Sequence, residues 1–332
     1  MDSVPSEAQV NSTDTVESIR DGDNLPQKVR IGYAVVVAVM AVGTVTGNLL
    51  VCLTLRQFSM PAGHSLMSLA VSNIIVGGLV MPCSSVTVLL RQWVFGPAMC
   101  LIVAFLKSVS LLQDCLTFCV VAVDRYLTIK GVRLVSTRRY KLMSVVFPWM
   151  ASLPMATAPL LGWGGYAWSP SKPVCSIDWL QSQSYTLAVF ATFGFLPNVI
   201  MCTCYLSIGM YVHRQKKRMK MSTISGIEPG RKRSSLKSGC DPTPGCVRIS
   251  REEVSIIKST VALVSFFSIV VSPYMATHLI SLGLNQAPSL RTESIVMGIL
   301  FFGACMNPVV YSGSCKKFRQ MLKKTVTRLF CR

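Results

Sequence analysis

The stretch AMCLIVAFLKSVSLLQDCLTFCVVAVDRYLTI, residues 98–129, settles the class of fold. Between Cys100 and Asp124 its only ionisable acid or base side chains are Lys107 and Asp114. A run this apolar outlasts the roughly 20 helical residues needed to cross a bilayer. In hydrocarbon each backbone N–H and C=O must find its partner inside the segment, so the run is a helix. Six more apolar stretches lie around it, at 31–55, 64–90, 142–162, 185–212, 254–282 and 292–313, with the quoted one apolar over 98–123. The expected fold is an all-α membrane protein with seven transmembrane helices.

Composition agrees. The 332 residues carry a net charge of +19, yet only 14% are charged and 51% are hydrophobic, at a mean hydropathy of +0.49. Soluble domains carry about 25% charged residues. A nucleic-acid binder dense in Lys and Arg is excluded, and so is disorder over most of the chain. Three histidines and no nucleophile constellation leave little for an enzyme. A transporter or channel is disfavoured too, because neither half repeats the other and few charges line a path.

The charges that exist are segregated. Of the 33 Lys and Arg, 26 fall near Arg56, in 125–141, in 213–258 and in 312–332. The positive-inside rule puts those segments in the cytoplasm and the N-terminus outside, in a multi-pass plasma-membrane topology. Residues 1–30 form a polar outer tail holding six acids and the sequon at Asn11, a glycosylation candidate, with no cleavable signal pattern. The bundle is expected over 31–313, interrupted by a flexible third cytoplasmic loop at 213–253. Residues 314–332 alternate cations with Phe318, Met321, Leu322, Val326, Leu329 and Phe330, which predicts a short amphipathic helix lying on membrane lipids, with Cys331 a palmitoylation candidate. None of the 13 cysteines has metal-like spacing, so no metal is expected. Cys100 and Cys175 both face the oxidising side and are the disulfide candidates.

Several short motifs occur in fixed order. Gly47-Asn48 lies in the first span and Leu69-Ala70 with Asn73 in the second. Trp93-x-Phe95-Gly96 precedes Cys100, and Asp124-Arg125-Tyr126 ends the third span. Trp149, then Pro197 with Tyr205, then Phe267 with Pro273, mark the fourth, fifth and sixth. Asn307-Pro308-Val309-Val310-Tyr311 ends the seventh, followed by Phe318. In these motifs residues 30–330 resemble the rhodopsin-like (class A) G-protein-coupled receptors, in particular their amine-like, opsin-like and orphan branches.

The resemblance implies a mechanism. Arg125 pairs with Asp124 and with an acid at the start of helix 6, here Glu253, to hold an inactive state. Release lets helix 6 swing outward and admits a heterotrimeric G protein. Tyr205 and Tyr311 match tyrosines that turn inward in the open state. Such an element is biased by ligand on one side and G protein on the other. It also brings arrestin as an expected partner.

Two departures stand out against that pattern. The family's helix 2 acid is Asn73 here, while a helix 3 position that commonly holds serine is Asp114. The carboxylate has moved from one helix to its neighbour. Two readings follow: Asp114 with Asn48, Asn73 and Asn307 forms a polar sodium-binding cavity, or a protonated Asp114 bonds to Asn73 with no ion. The usual helix 6 tryptophan is Val271, and Cys115 replaces a common isoleucine, so either high basal activity or a non-signalling decoy receptor would fit.

Lys107 lies about 10 Å, two helical turns, below Cys100, at the site where amine receptors carry an aspartate. It argues against a cationic amine and permits an anionic small-molecule ligand. The alternative is an internal ion pair with Asp178 or Glu293. Phe190, His278, Met297 and Phe301 are further pocket candidates, each equally a packing residue. Phe301 also stands where opsins carry the retinal-binding lysine, so no retinal cofactor is expected. In the third loop, Arg231-Lys232-Arg233-Ser234-Ser235 resembles a basophilic-kinase site with Ser235 as acceptor, or a patch attracted to anionic lipid.

Overall fold

The structure, a computed structural model, describes residues 25–58, 63–132, 135, 137–224 and 251–330, with side chains at 215–224, 251–256 and 330 left aside. Asn11, Ser235 and Cys331 lie outside the described residues, as does the side chain of Glu253. Seven helices are long and apolar enough to cross a membrane among the described residues. They are α1 (Gln27–Gln57), α2 (Gly63–Leu90), α3 (Gly96–Ile129), α4 (Arg138–Thr157, extended by a 3-10 turn to Leu161), α5 (beginning at Gln183), α6 (Arg251–Leu284) and α7 (Leu290–Ser314). An eighth helix, α8 (Lys316–Phe330), follows directly.

The helices turn lipid-facing apolar residues outward and polar ones inward, the reverse of a soluble bundle. Val39, Leu161, Phe195, Leu206 and Ile269 are exposed, whereas Asn48, Asn73, Gln113, Thr117 and Asn307 are buried. The inward polar groups tie helices together. On α1, Asn48 donates to the Ala304 carbonyl of α7 at 3.2 Å and accepts from Asn73 of α2 at 3.4 Å. On α3, the Gln113 amide donates to Ser68 of α2 at 2.9 Å and to Thr117 at 2.7 Å, and Ser68 also accepts from Trp149 of α4 at 2.8 Å.

Two helices carry a widened turn. In α2 it spans Val76–Val80, just before Pro82, and in α5 it spans Phe190–Phe195, just before Pro197, dividing α5 into Gln183–Val189 and Leu196–Ile224. A proline within a helix clashes with the carbonyl four residues back, and a π-turn is one way the backbone gives. The second half of α5 runs to Ile224, so the loop expected from 213 begins as helix. That segment is rich in Arg, Gln, Lys and Met, which are good helix formers. The chain is not purely helical either: Tyr166–Ala167 (β1) pairs antiparallel with Ser176–Ile177 (β2) in the loop between α4 and α5. In α8, Phe318, Met321 and Thr325 are buried while Lys317, Arg319, Lys323 and Lys324 are exposed. Arg328 reaches back to Gln57 of α1 at 3.3 Å.

Helices α6 and α7 pack closely at Gly303, where an added Cβ would stand 2.6 Å from Val270 Cγ1. Gly303→Ala is expected to destabilise by about 1–3 kcal/mol through overpacking. Gly209→Ala on α5, where nothing lies within 4 Å, is expected to stabilise by about 0.5–1 kcal/mol through helix propensity. Melting temperatures of the two purified variants should move in opposite directions.

Candidate functional site

The bundle's interior divides into a roofed pocket at the end bearing the disulfide, a polar middle, and a closed apolar layer at the Arg125 end.

The roof is the loop between α4 and α5. Cys100 at the start of α3 is bonded to Cys175, with Cα atoms 5.3 Å apart. The bond pins β2 over the bundle, and Val174, Cys175, Ser176 and Ile177 are buried. Two residues beyond β2, Trp179 turns into the bundle and is 5% exposed. It stacks on Phe190 with ring centres 5.2 Å apart, lies 5.3 Å from the His278 ring, and donates Nε1–H to the Tyr274 hydroxyl at 3.1 Å. Its carbonyl accepts from Thr186 at 2.7 Å. In the same loop the half-buried Lys172 donates to the Ile177 carbonyl at 3.3 Å. Burial holds its ammonium below the ordinary lysine range, opposed by the charges of Asp178 and Glu293.

Beneath Trp179 lies Lys107, 7% exposed. Its ammonium meets the Met297 thioether at 3.9 Å and the face of Tyr274 at 5.8 Å from the ring centre. The internal ion pair considered from sequence does not form: among the described residues no carboxylate oxygen lies within 4.0 Å of the Lys107 ammonium, and the Glu293 carboxyl instead lies 3.6 Å from His278 Nε2. Glu293 attracts Lys107 through space without touching it. Of the other pocket candidates, Met297 and Phe301 share a cavity with Lys107, Phe190 supports Trp179, and His278 is packed between Trp179, Tyr274 and Glu293. Neither Trp179 nor Tyr274 is among the pocket candidates read from sequence. Trp179 lies four residues beyond Cys175, the one signal that points to it.

That cavity is a slot of about 70 Å³ that runs from Lys107 to the polar middle, where Asn73, Ser110, Asp114 and Asn307 line it. Val270, Val271 and Phe267 form one side. A buried water needs at least about 10–15 Å³, so the slot has room for several, or for an ion with part of its shell. Asp114 Oδ1 is buried with no hydrogen-bond partner. The Asn73 amide donates to Asn48, and no hydrogen bond joins Asn73 to Asp114 among the described residues.

At the far end of α3, Asp124 and Arg125 are buried and ion-paired with each other. At the same end Ile129, Ile208 of α5 and Ile257 of α6 form one buried cluster, with Tyr126, Tyr205 and Val261 packed against it. The hydroxyls of Tyr205 and Tyr311 are buried without a partner among the described residues. Tyr311 packs edge-on to Phe318 of α8 at 6.0 Å, and Phe118 meets Phe267 of α6 at 4.1 Å. Pro308 lies inside α7, between Asn307 and that tyrosine.

Comparison with known proteins gives a consistent picture. Residues 47–311 match the family described as 7 transmembrane receptor (rhodopsin family). A Gq-coupled rhodopsin of Mizuhopecten yessoensis is 27% identical over 83% of this chain and 55% of its own. Melanopsin-B of Gadus morhua is 25% identical over 92% of this chain and 50% of its own, and G-protein coupled receptor 161 of Xenopus tropicalis 24% identical over 90% and 61%. The chain spans about half to two thirds of the length of these relatives. The crystal structure of squid rhodopsin superposes with a TM-score of 0.76, at 22% identity, over 93% of this chain and 88% of that one.

Trp179 is the keystone of the roof. Trp179→Ala is expected to cost about 3–5 kcal/mol, the range for deleting a buried aromatic. Trp163→Ala, at a side chain 44% exposed, should cost under about 1 kcal/mol. Thermal unfolding of the two variants, followed by the fluorescence of a thiol-reactive dye, tests the contrast.

Proposed function

Because the chain belongs to the rhodopsin family of seven-transmembrane receptors, we propose that it passes a signal across the plasma membrane to a heterotrimeric G protein by outward movement of α6. In this reading the disulfide end is extracellular and the Arg125 end cytoplasmic, as the distribution of Lys and Arg requires. The observation that carries the reading is the closed Arg125 end. Arg125 is buried beside Asp124, and the cluster of Ile257 of α6 with Ile129 and Ile208 is read as the lid of that end. Moving α6 away uncovers a cation at the floor of a groove. It also gives the unpartnered Tyr205 and Tyr311 hydroxyls somewhere to turn. Glu253 lies on α6 one turn before Ile257 and is the further acid proposed to hold Arg125 in the closed state. Arrestin would dock on the same uncovered groove, a basophilic kinase would act on Ser235, and α8 with a lipidated Cys331 would lie on the membrane surface.

A panel of purified G proteins mixed with the receptor, without added ligand, tests this. Nucleotide exchange should appear on at least one of them and fall at least tenfold in Arg125→Ala. Ile257→Ala loosens the lid and should raise basal exchange several-fold, since removing such a contact shifts a two-state balance by about 1–2 kcal/mol. Exchange on none of them would favour a non-signalling decoy of the same fold. The missing helix 6 tryptophan is the feature that keeps that second reading in play.

The orphaned Asp114 oxygen beside Asn73 and Asn307 supports a sodium ion in the slot, with Asn48 holding Asn73 in place. The purified receptor should melt higher in sodium than in choline chloride, and Asp114→Asn should abolish the difference. The relatives include rhodopsins, but with Phe301 at the seventh-helix position the receptor is read as one without a retinal imine there.

A further inference from the structure

Two further features beside the slot have no place in the mechanism above. The first is a crevice of about 610 Å³ between α5 and α6, on the outside of the bundle. Its walls run from Leu187 to Met201 on α5 and from Phe267 to Leu279 on α6, about 20 Å of each helix at 1.5 Å per residue. The exposed side chains of Leu187, Phe195 and Leu279 border it, so it faces the hydrocarbon of the bilayer. The widened turn at Phe190–Phe195 forms part of its wall, and Gly194 within that turn leaves room for the tip of the Met275 side chain. The second feature is a narrow neck of about 20 Å³ lined by Lys107, Tyr274 and Trp179.

The neck adjoins the other two cavities. It shares Cys115, Phe193, Val271 and Met275 with the crevice, and Lys107, Leu111 and Val271 with the slot. Val271 lines all three. A tryptophan at that position would fill the junction; valine leaves it thin.

Lys107 supplies the chemistry. An ammonium has three N–H donors and wants oxygen acceptors. Here its contacts are a thioether sulfur and an aromatic face, with no carboxylate within 4.0 Å among the described residues. Burying a charge so poorly partnered is costly, which favours an anion at this point. Tyr274 offers a second donor: its oxygen accepts from Trp179, and its own O–H hydrogen has no partner among the described residues. The neck exceeds the space of one water, which suits a carboxylate head. The extracellular side is shut by the disulfide-pinned loop and Trp179, so the neck communicates with lipid more directly than with water.

We propose that the ligand is a long-chain amphiphilic carboxylate taken up from the bilayer, its head on Lys107 and Tyr274 in the neck and its hydrocarbon tail in the α5–α6 crevice. The head supplies the oxygen acceptors that Lys107 lacks. The tail buries apolar surface against Phe193, Val271 and Met275, at roughly 25 cal/mol per Å². Passage between the helices requires the Met275 side chain to swing aside, and methionine, unbranched and flexible, does so readily. Glu293, whose carboxyl lies 3.6 Å from His278 Nε2, is the native charge that the head displaces in balancing Lys107. The proposal deepens the receptor reading by giving it a ligand class, and depends on that reading only for what binding does to signalling.

Binding of tritiated palmitate to the purified full chain in phosphatidylcholine nanodiscs tests it. Saturable binding is expected, with hexadecanol and butyrate each competing at least tenfold more weakly than palmitate. Lys107→Met should lower affinity at least tenfold, Lys107→Arg should retain most of it, and Val271→Trp should abolish it by filling the junction. Melting temperatures identify any variant that fails to fold. The Arg and Trp substitutions bear on the proposal independently of the Met one. Absence of saturable binding, equal competition by hexadecanol or butyrate, or unchanged affinity in a folded Lys107→Met or Val271→Trp protein overturns it. G-protein nucleotide exchange measured on the same nanodiscs separates the two readings. Exchange without palmitate binding leaves the receptor reading standing alone; palmitate binding without exchange leaves the ligand site standing and removes the receptor reading.

Discussion

A polar side chain inside hydrocarbon has no water to bond, so its partner must come from a neighbouring helix. This constraint organises the bundle. Asn48 binds α1 to α2 and α7, and the Gln113–Ser68–Trp149 chain binds α3 to α2 and α4. These contacts set which faces of the first four helices and α7 look inward, and apolar packing then fills the space between. The Asn48 and Gln113 ties all lie on the α1–α4 and α7 side. Between α5 and α6 the described contacts are sparser, with Ser268 reaching Asn198 at 3.2 Å near the lipid face. That is the side where the crevice lies, and the side that must move if α6 swings.

The groups that the constraint leaves unsatisfied mark where the molecule is built to change. Asp114 Oδ1, Tyr205 Oη and Tyr311 Oη are buried without partners, and Lys107 meets sulfur and a ring instead of oxygen. Lys107 and Asp114 lie about two turns apart on α3, and the two tyrosines lie on α5 and α7. A polar group left unpaired in one state is an incentive for another state in which it is paired, or for a ligand that pairs it.

Much of this was legible in the residues. Seven apolar stretches and a basic amphipathic tail foretold the helices because a spanning segment has one stable backbone, which length and hydropathy reveal directly. The moved carboxylate at Asp114 was readable from its absence at Asn73, and the two do line one cavity with Asn307. The disulfide was visible as two cysteines on one side of the membrane, and it forms. The contact of Lys107 with Glu293 or Asp178 is absent, because side-chain reach depends on how far apart the helix ends and loop are held, which no spacing rule records. Gln113 escaped notice because a lone glutamine within an apolar run has no motif.

By itself the sequence determined the number of spanning helices, their expected orientation and the family to which the chain belongs, since each follows from local composition or from residues at fixed spacing. Only the tertiary structure decided that Trp179 roofs the pocket, that Lys107 lies among sulfur and aromatic groups, and that Val271 is a wall common to three cavities. Those are properties of the gaps between helices. A gap is set by the relative placement of several segments at once, by a widened turn in α5, a glycine facing Met275 and a loop pinned by one disulfide, and no single segment carries that information alone.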